Sequence, residues 1–178
     1  MEFSILLEDR RSIRDFAKGI TVSKEDVEKM IYAAQQAPSW KNSQTGRYYV
    51  AITKEGIERV RGALPGFNAD RTQNVAAYIV TTYKTKISGH NSEAQPTDDH
   101  GDAWGAYDLG LQNENLLLKA LELGYDTLIM GLRDAASITK IFDIPSDEAI
   151  MSVIAVGKRV ESPQKPERKQ LEEIVKFL

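Results

Sequence analysis

Cysteine is absent from the 178 residues. A chain without thiols has no disulfide, no thiolate metal site, no iron–sulfur cluster and no catalytic thiol, so any redox chemistry needs an organic cofactor. No apolar run approaches the ~18 residues of a membrane-spanning helix. No glycine-rich phosphate turn of the GxGxxG kind follows any strand-like segment. Excess positive charge is missing too: 23 Lys and Arg stand against 26 Asp and Glu, for a net charge of −3. That balance argues against general binding to nucleic acid or a membrane surface, and any local basic patch must serve a small target. The opening "MEFSILLEDRR" carries its positive charge after the apolar part, the reverse of a secretory signal. Without repeat or linker, residues 1–178 read as one domain, with a cytoplasmic setting expected.

What is present alternates between helix and strand signals. "SKEDVEKMIYAAQQ" has a capping serine, Ser23, and an apolar face of Val27, Met30, Ile31 and Ala34. Pro38 ends it, and "APSWKNSQTG" has no periodicity. Strands are predicted at 47–53, 77–83, 125–130 and 149–157, with helices over "KEGIERVRGAL" and near 135–142. The longest helix, 103–123, is apolar on more than one face and is closed by Gly124. Its Gln112, Asn113 and Asn115 suggest hydrogen bonding across a subunit interface. Residues 84–102 read as an exposed loop that could act as a lid. Taken alone, the alternation points to a doubly wound parallel sheet, although the basic tail has too little apolar content to pack by itself.

Two basic clusters stand out in an acidic chain. Arg10, Arg11 and Arg14 flank Ser12, and in an extended stretch Arg10, Ser12 and Arg14 point to one side, suited to a phosphate. The competing reading is a solvated turn neutralised by Glu8, Asp9 and Asp15. Lys158, Arg159, Lys165, Arg168 and Lys169 form the second cluster near the other terminus. Between them, Ser39, Asn42, Ser43 and Gln44 offer neutral donors and acceptors beside Trp40, a set suited to a heteroaromatic edge. His90 and His100 among Asp98, Asp99 and Asp102 give no convincing metal site.

"RRSIRDF", "APSWKNSQTGRYYV", "DLGLQNENLLLKALELGYDTLIMGL" and "VIAVGK…ERKQLEEIV", in that order, resemble the nitroreductase family of FMN-dependent oxidoreductases. The resemblance spans nearly the whole chain and is to the compact members. It implies an α+β fold with a mainly antiparallel sheet flanked by helices, in a homodimer that exchanges C-terminal arms. It implies non-covalent FMN held by Arg10, Arg11, Ser12 and Arg14, with Arg14 facing the N1/O2 side of the flavin. Pro38, Ser39, Trp40, Asn42 and Gln44 would come from the opposite subunit, although Thr45-Gly46 replaces the Pro-Trp that commonly follows the glutamine. Asn68 and Arg71, the backbone of Met130, Gly131 and Leu132, and the pair Arg168 and Lys169 complete the implied site. Lys158 and Lys165 are neighbouring candidates for the phosphate.

The implied chemistry is reduction of flavin at N5 by NAD(P)H, then of a nitroaromatic, quinone or related electron-poor acceptor, in ping-pong fashion and without a protein nucleophile. A fixed cation near N1 favours the reduced state. The alternatives are a specific reaction on the same fold, such as reductive dehalogenation or dehydrogenation, and an FMN- or phosphate-ligand-binding protein without turnover.

Overall fold

The computed structural model describes residues 2–178. Its elements in chain order are α1 (Phe3–Asp9), α2 (Lys24–Gln35), β1 (Gly46–Ala51), α3 (Lys54–Gly62), α4 (Gly66–Arg71) and β2 (Ala77–Lys84). After these come α5 (Ala103–Glu122), β3 (Asp126–Met130), α6 (Ala135–Phe142), β4 (Glu148–Gly157) and the short α7 (Leu171–Ile174). Ser23 caps α2 by accepting from the Asp26 N–H at 3.0 Å. Gly124, with φ of +83°, takes the left-handed position that ends α5.

The four strands form one sheet in the order β1-β2-β4-β3, and every neighbouring pair is antiparallel. The register pairs Tyr49 with Val80, Val80 with Val153, and Leu128 with Ala155, with a bulge between Thr81 and Thr82. A doubly wound parallel sheet is therefore wrong. The physical reason is burial: β2 and β4 are covered on both faces, so they read as unbroken apolar runs, as parallel strands do.

One face of the sheet packs on α2 and α5 through Ile79, Ile154 and Val156 against Met30, Leu116 and Ala120. On the other face, Tyr78, Val80, Val153 and Met130 pack with Val60 of α3, Ile138 of α6, and Ile13 and Phe16. Helices on both sides of an antiparallel sheet make this an α+β fold. Gln112, Asn113 and Asn115 each make a hydrogen bond inside the chain. Gln112 accepts from the Tyr48 hydroxyl, Asn113 donates to Thr81, and Asn115 donates to the Ala33 carbonyl. Two strand hydroxyls and a helix carbonyl are the partners, while Asn113 Oδ1 stays buried without one among the described residues.

The segment after α1 covers the outer edge of β3. The Ile13 N–H donates to the Thr127 carbonyl at 3.0 Å, a parallel bridge pairs Ser12 with Thr127, and Phe16 bridges to Arg159. From Val160 onward every residue is exposed. The chain there is an arm, tied back at its start by the Val160 N–H on the Asp15 carbonyl and by Arg159 on Ser162, and further on where Lys165 meets Glu8.

Candidate functional site

The edge of β3 sets the geometry. Because Ile13 and Phe16 turn into the core, Ser12 and Arg14 are left facing solvent together. Arg14 Nη1 donates to the Ser12 carbonyl at 3.2 Å. Arg11 Nη1 donates to the carbonyls of Glu8 and Arg10, at 2.7 and 2.9 Å, and its Nε is buried with no partner. Arg10 diverges from this face: its Nε lies 3.6 Å from the Glu114 carboxylate on α5.

Two of the three carboxylates expected to neutralise this cluster are committed elsewhere, and Asp15 pairs with neither Arg11 nor Arg14 among the described residues. Glu8 pairs with Lys165, whose hydrogen bond and charge hold the Glu8 carboxyl below its usual range. Asp9 lies 3.7 Å from Arg159. Among the described residues neither Arg11 nor Arg14 forms an ion pair. A solvated, neutralised turn does not describe this stretch, and two guanidiniums remain available to an anion.

At the far end of β3 from Thr127 lies the turn that follows it. Met130 points its side chain into the core, so only its backbone can serve a ligand. Gly131 and Leu132 face outward, with Leu132 64% exposed and open space where a Gly131 side chain would stand. Asn68, only 6% exposed, donates Nδ2 to the Leu132 carbonyl at 3.1 Å. Arg71 is exposed, its guanidinium 5.6 Å from the Phe67 ring. The Asp134 N–H donates to the Ala63 carbonyl at 2.8 Å, which closes the turn against the end of α3.

The Pro38–Gln44 loop is placed by a different set of contacts. Asp108, on α5 and 2% exposed, accepts from the Trp40 N–H at 3.1 and 3.0 Å and from the Ser88 hydroxyl at 2.8 Å. The Ser43 and Ser88 hydroxyls are 2.7 Å apart, and Ser39 Oγ accepts from the Gln44 N–H at 3.1 Å. Within this frame Lys41, Asn42 and Gln44 adopt left-handed φ of 47°, 57° and 49°. Such conformations disfavour residues with a Cβ and persist where surrounding bonds over-determine them. Asn42 and Gln44 are thereby left exposed, with the Lys41 ammonium 4.4 Å from the Trp40 ring.

One chain therefore brings Ser12, Arg14, Asn68 and the 131–132 turn to the β3 edge and its end, but not the whole predicted set. The loop's anchor, Asp108, lies six positions before Glu114, where Arg10 attaches. On a helix that separation is ~9 Å of rise and about 240° of rotation. Arg168 and Lys169 sit in the exposed arm, with Arg168 bonded only to the Pro166 carbonyl. Lys165 is engaged by Glu8, and Arg159 by Asp126 at 2.5 Å, which raises the Arg159 pKa.

Residues 91–100 are exposed as expected, but Ser88 to His90 are buried, and Ser88 braces the Pro38–Gln44 loop. Asp98 accepts from Trp104 Nε1 at 2.7 Å, and His100 Nδ1 lies 2.8 Å from Asp99, all on the surface. The residues missed in the sequence are the supports: Asp108, Ser88 and Arg133. Asp108 left one signal, a lone carboxylate between apolar positions in "AYDLGL".

Comparison with known proteins agrees with this fold. The model of the family described as "Nitroreductase family" matches residues 7–158. YdgI of Bacillus subtilis, named as an NAD(P)H nitroreductase, is 25% identical over 185 residues covering 88% of each chain. A solved protein of Exiguobacterium sibiricum, described as a nitroreductase in complex with FMN, superimposes with a TM-score of 0.86 at 21% identity, covering 100% of this chain and 98% of that one. An enone reductase of gut-bacterial fatty-acid biohydrogenation superimposes equally well, at 0.86 and 20% identity over 99% and 98% of the two chains. The family match, spanning most of the chain from the arginine cluster to the end of β4, makes this protein a member of the nitroreductase family.

Proposed function

We propose that the chain is an FMN-dependent oxidoreductase that draws electrons from NAD(P)H and delivers them to nitroaromatics, quinones or related electron-poor compounds, one pocket serving donor and acceptor in turn. The observation that carries this reading is the pairing at the β3 edge. Two guanidiniums without carboxylate partners, Arg11 and Arg14, stand with Ser12 along the edge of a strand that ends in an outward-facing turn at Gly131 and Leu132.

These residues fit FMN on their own chemistry. The orphaned Arg11 Nε, the exposed Ser12 hydroxyl and the Arg14 fork are donors suited to a phosphate and to the carbonyl edge of a flavin. The open space at Gly131 lets a ring approach the backbone. Bound FMN supplies the two-electron chemistry that a chain without cysteine lacks. Arg14 fixes positive charge at the ring, Asn68 orients the 131–132 turn, and Leu132 offers an apolar wall that keeps water from the reacting edge.

The Pro38–Gln44 loop and the basic arm complete the site from a second copy of the chain. Their support is what one protomer leaves uncovered: Asn42 and Gln44 are exposed away from the β3 edge, and the arm presents Leu171, Ile174, Val175 and Phe177 to solvent. In that arrangement Arg168 and Lys169 meet the phosphate, and the cytoplasm is the expected compartment.

Purified protein is expected to retain or take up FMN, to bleach anaerobically with NADH or NADPH, and to recover its colour with a quinone or nitroaromatic. A panel that includes an α,β-unsaturated ketone sorts the acceptor class. A colourless protein that binds no FMN defeats this reading, and bound flavin that neither nucleotide bleaches reduces it to a binding protein. Light scattering that shows a flavin-bound monomer defeats the two-chain site.

A further inference from the structure

Arg133 is a half-buried cation that the site described so far does not use. Its Nη1 donates to the Gly131 carbonyl at 2.6 Å, its Nη2 donates to the Ile150 carbonyl on β4, and its Nε is buried without an acceptor. Among the described residues it has no carboxylate partner, and both of its acceptors are neutral backbone groups. Burial pushes its pKa down. It lines a hollow of about 370 Å³ with Leu132, Ala63, Leu64 and Pro65, a largely apolar wall. Withdrawing part of a guanidinium from water without an anion has a cost, and its buried Nε has no acceptor to offset it. Simple packing therefore does not explain an arginine here.

Its place does. Every peptide bond described is trans, so a carbonyl and the following N–H point to opposite sides. Drawing the Gly131 carbonyl toward Arg133 turns the Leu132 N–H the other way, to the open side of the turn. Asn68 acts likewise on the next peptide by holding the Leu132 carbonyl. Neither the Leu132 nor the Arg133 backbone N–H has a backbone or side-chain acceptor among the described residues. A charged donor on a carbonyl also polarises that peptide, which makes the N–H at its other end a stronger donor.

We propose that Arg133 is a positioning residue of the redox site: it clamps Gly131 between β3 and β4, presents the Leu132 N–H to the flavin, and lends a positive charge that favours the reduced cofactor. The inference rests on the FMN-dependent reading above and adds to it a second cation, independent of Arg14, acting through the backbone. Its chemistry predicts that affinity and redox balance separate between two substitutions. Arg133→Met removes charge and fork together, whereas Arg133→Lys keeps the charge and loses the double hold.

The test uses full-length protein, with circular dichroism as the control for folding. Wild-type FMN binding is measured first, because its absence defeats the FMN reading itself and with it this role. With wild-type binding in hand, Arg133→Met is expected to bind FMN at least tenfold more weakly and to shift the midpoint potential of its bound flavin to more negative values. Arg133→Lys is expected to keep a potential close to wild type while still losing affinity. In cofactor-free protein, amide exchange at Leu132 to Asp134 is expected to speed up in both variants. Arg133→Met with wild-type affinity and potential overturns the proposal. So does a loss of thermal stability and affinity in both variants with the potential unmoved in Arg133→Met. Should Arg133→Met fail to fold, Arg133→Lys with wild-type affinity and exchange rates overturns the clamp on its own.

Discussion

Replacing Asp108 by alanine tests whether one buried carboxylate holds the Pro38–Gln44 loop. Its side chain accepts from the Trp40 N–H, shared between both oxygens at 3.1 and 3.0 Å, and from the Ser88 hydroxyl at 2.8 Å. Counting the shared bond once, two hydrogen bonds to a charged acceptor contribute about 1.5 kcal/mol each. The Ser88 hydroxyl can turn to Ser43, 2.7 Å away, and the buried charge is relieved, which together return up to about 1 kcal/mol. The net loss is about 2–3 kcal/mol. For a domain of this size that corresponds to a fall in Tm of about 4–12 °C.

Thermal unfolding followed by circular dichroism reads the global effect, and amide exchange at Trp40 reads the local one. The left-handed residues Lys41, Asn42 and Gln44 lose the support that over-determines them, so FMN affinity should fall along with stability. Ser88→Ala is expected to cost less, about 1 kcal/mol, and to be non-additive with Asp108→Ala because the two side chains share one network. A Tm unchanged within error together with unaltered Trp40 protection would refute the reasoning.

Arg14→Ala is expected to weaken FMN binding about tenfold, the loss of one charge-assisted contact, as read by flavin fluorescence titration; unchanged affinity removes Arg14 from the site. Arg159→Ala takes the ion pair at 2.5 Å from Asp126, 8% exposed, which keeps only the residue 159 N–H at 2.7 Å, and should cost about 2–3 kcal/mol in chemical denaturation, with a loss under ~1 kcal/mol as the refuting result. Gly157→Ala places a Cβ 2.6 Å from Cδ1 of the buried Phe16 and is expected to cost about 1–3 kcal/mol with an unchanged m-value; a neutral substitution would show that Phe16 can move aside. Burial, reinforced at Tyr49 by the hydrogen bond to Glu148, pushes Tyr49 and Tyr78 up to about 12. Their phenols ionise near ~10 once unfolded, so this stabilisation is intact below about pH 10 and is lost as pH rises through about 12. A denaturation midpoint that stays flat across that window would contradict it.

Much of the fold was legible because local signals and tertiary packing agree. Ser23 caps α2, Gly124 ends α5, and the four strands fall within two residues of their predicted bounds. Strand direction was not legible from pattern alone. Burial on both faces erases the alternation that marks an antiparallel strand, and only the order of the family motifs corrected it. The intrachain partners of the polar residues of α5 were not legible for a related reason: Gln112 and Asn113 reach Tyr48 and Thr81, 64 and 32 positions away, and such distances leave no local trace.

The sequence by itself determined the need for an outside redox group, since it has no thiol, and marked where a phosphate could be held, since three arginines gather around Ser12 in an acidic chain. It could not determine which of those charges are free. Tertiary structure decided that, because Lys165 and Arg159 return from the far end of the chain to occupy Glu8 and Asp9, while Glu114 holds Arg10. The structure likewise exposed the supports at Asp108, Ser88 and Arg133. Their roles arise from burial and from partners remote in sequence, and a charge becomes informative only once the groups around it are known.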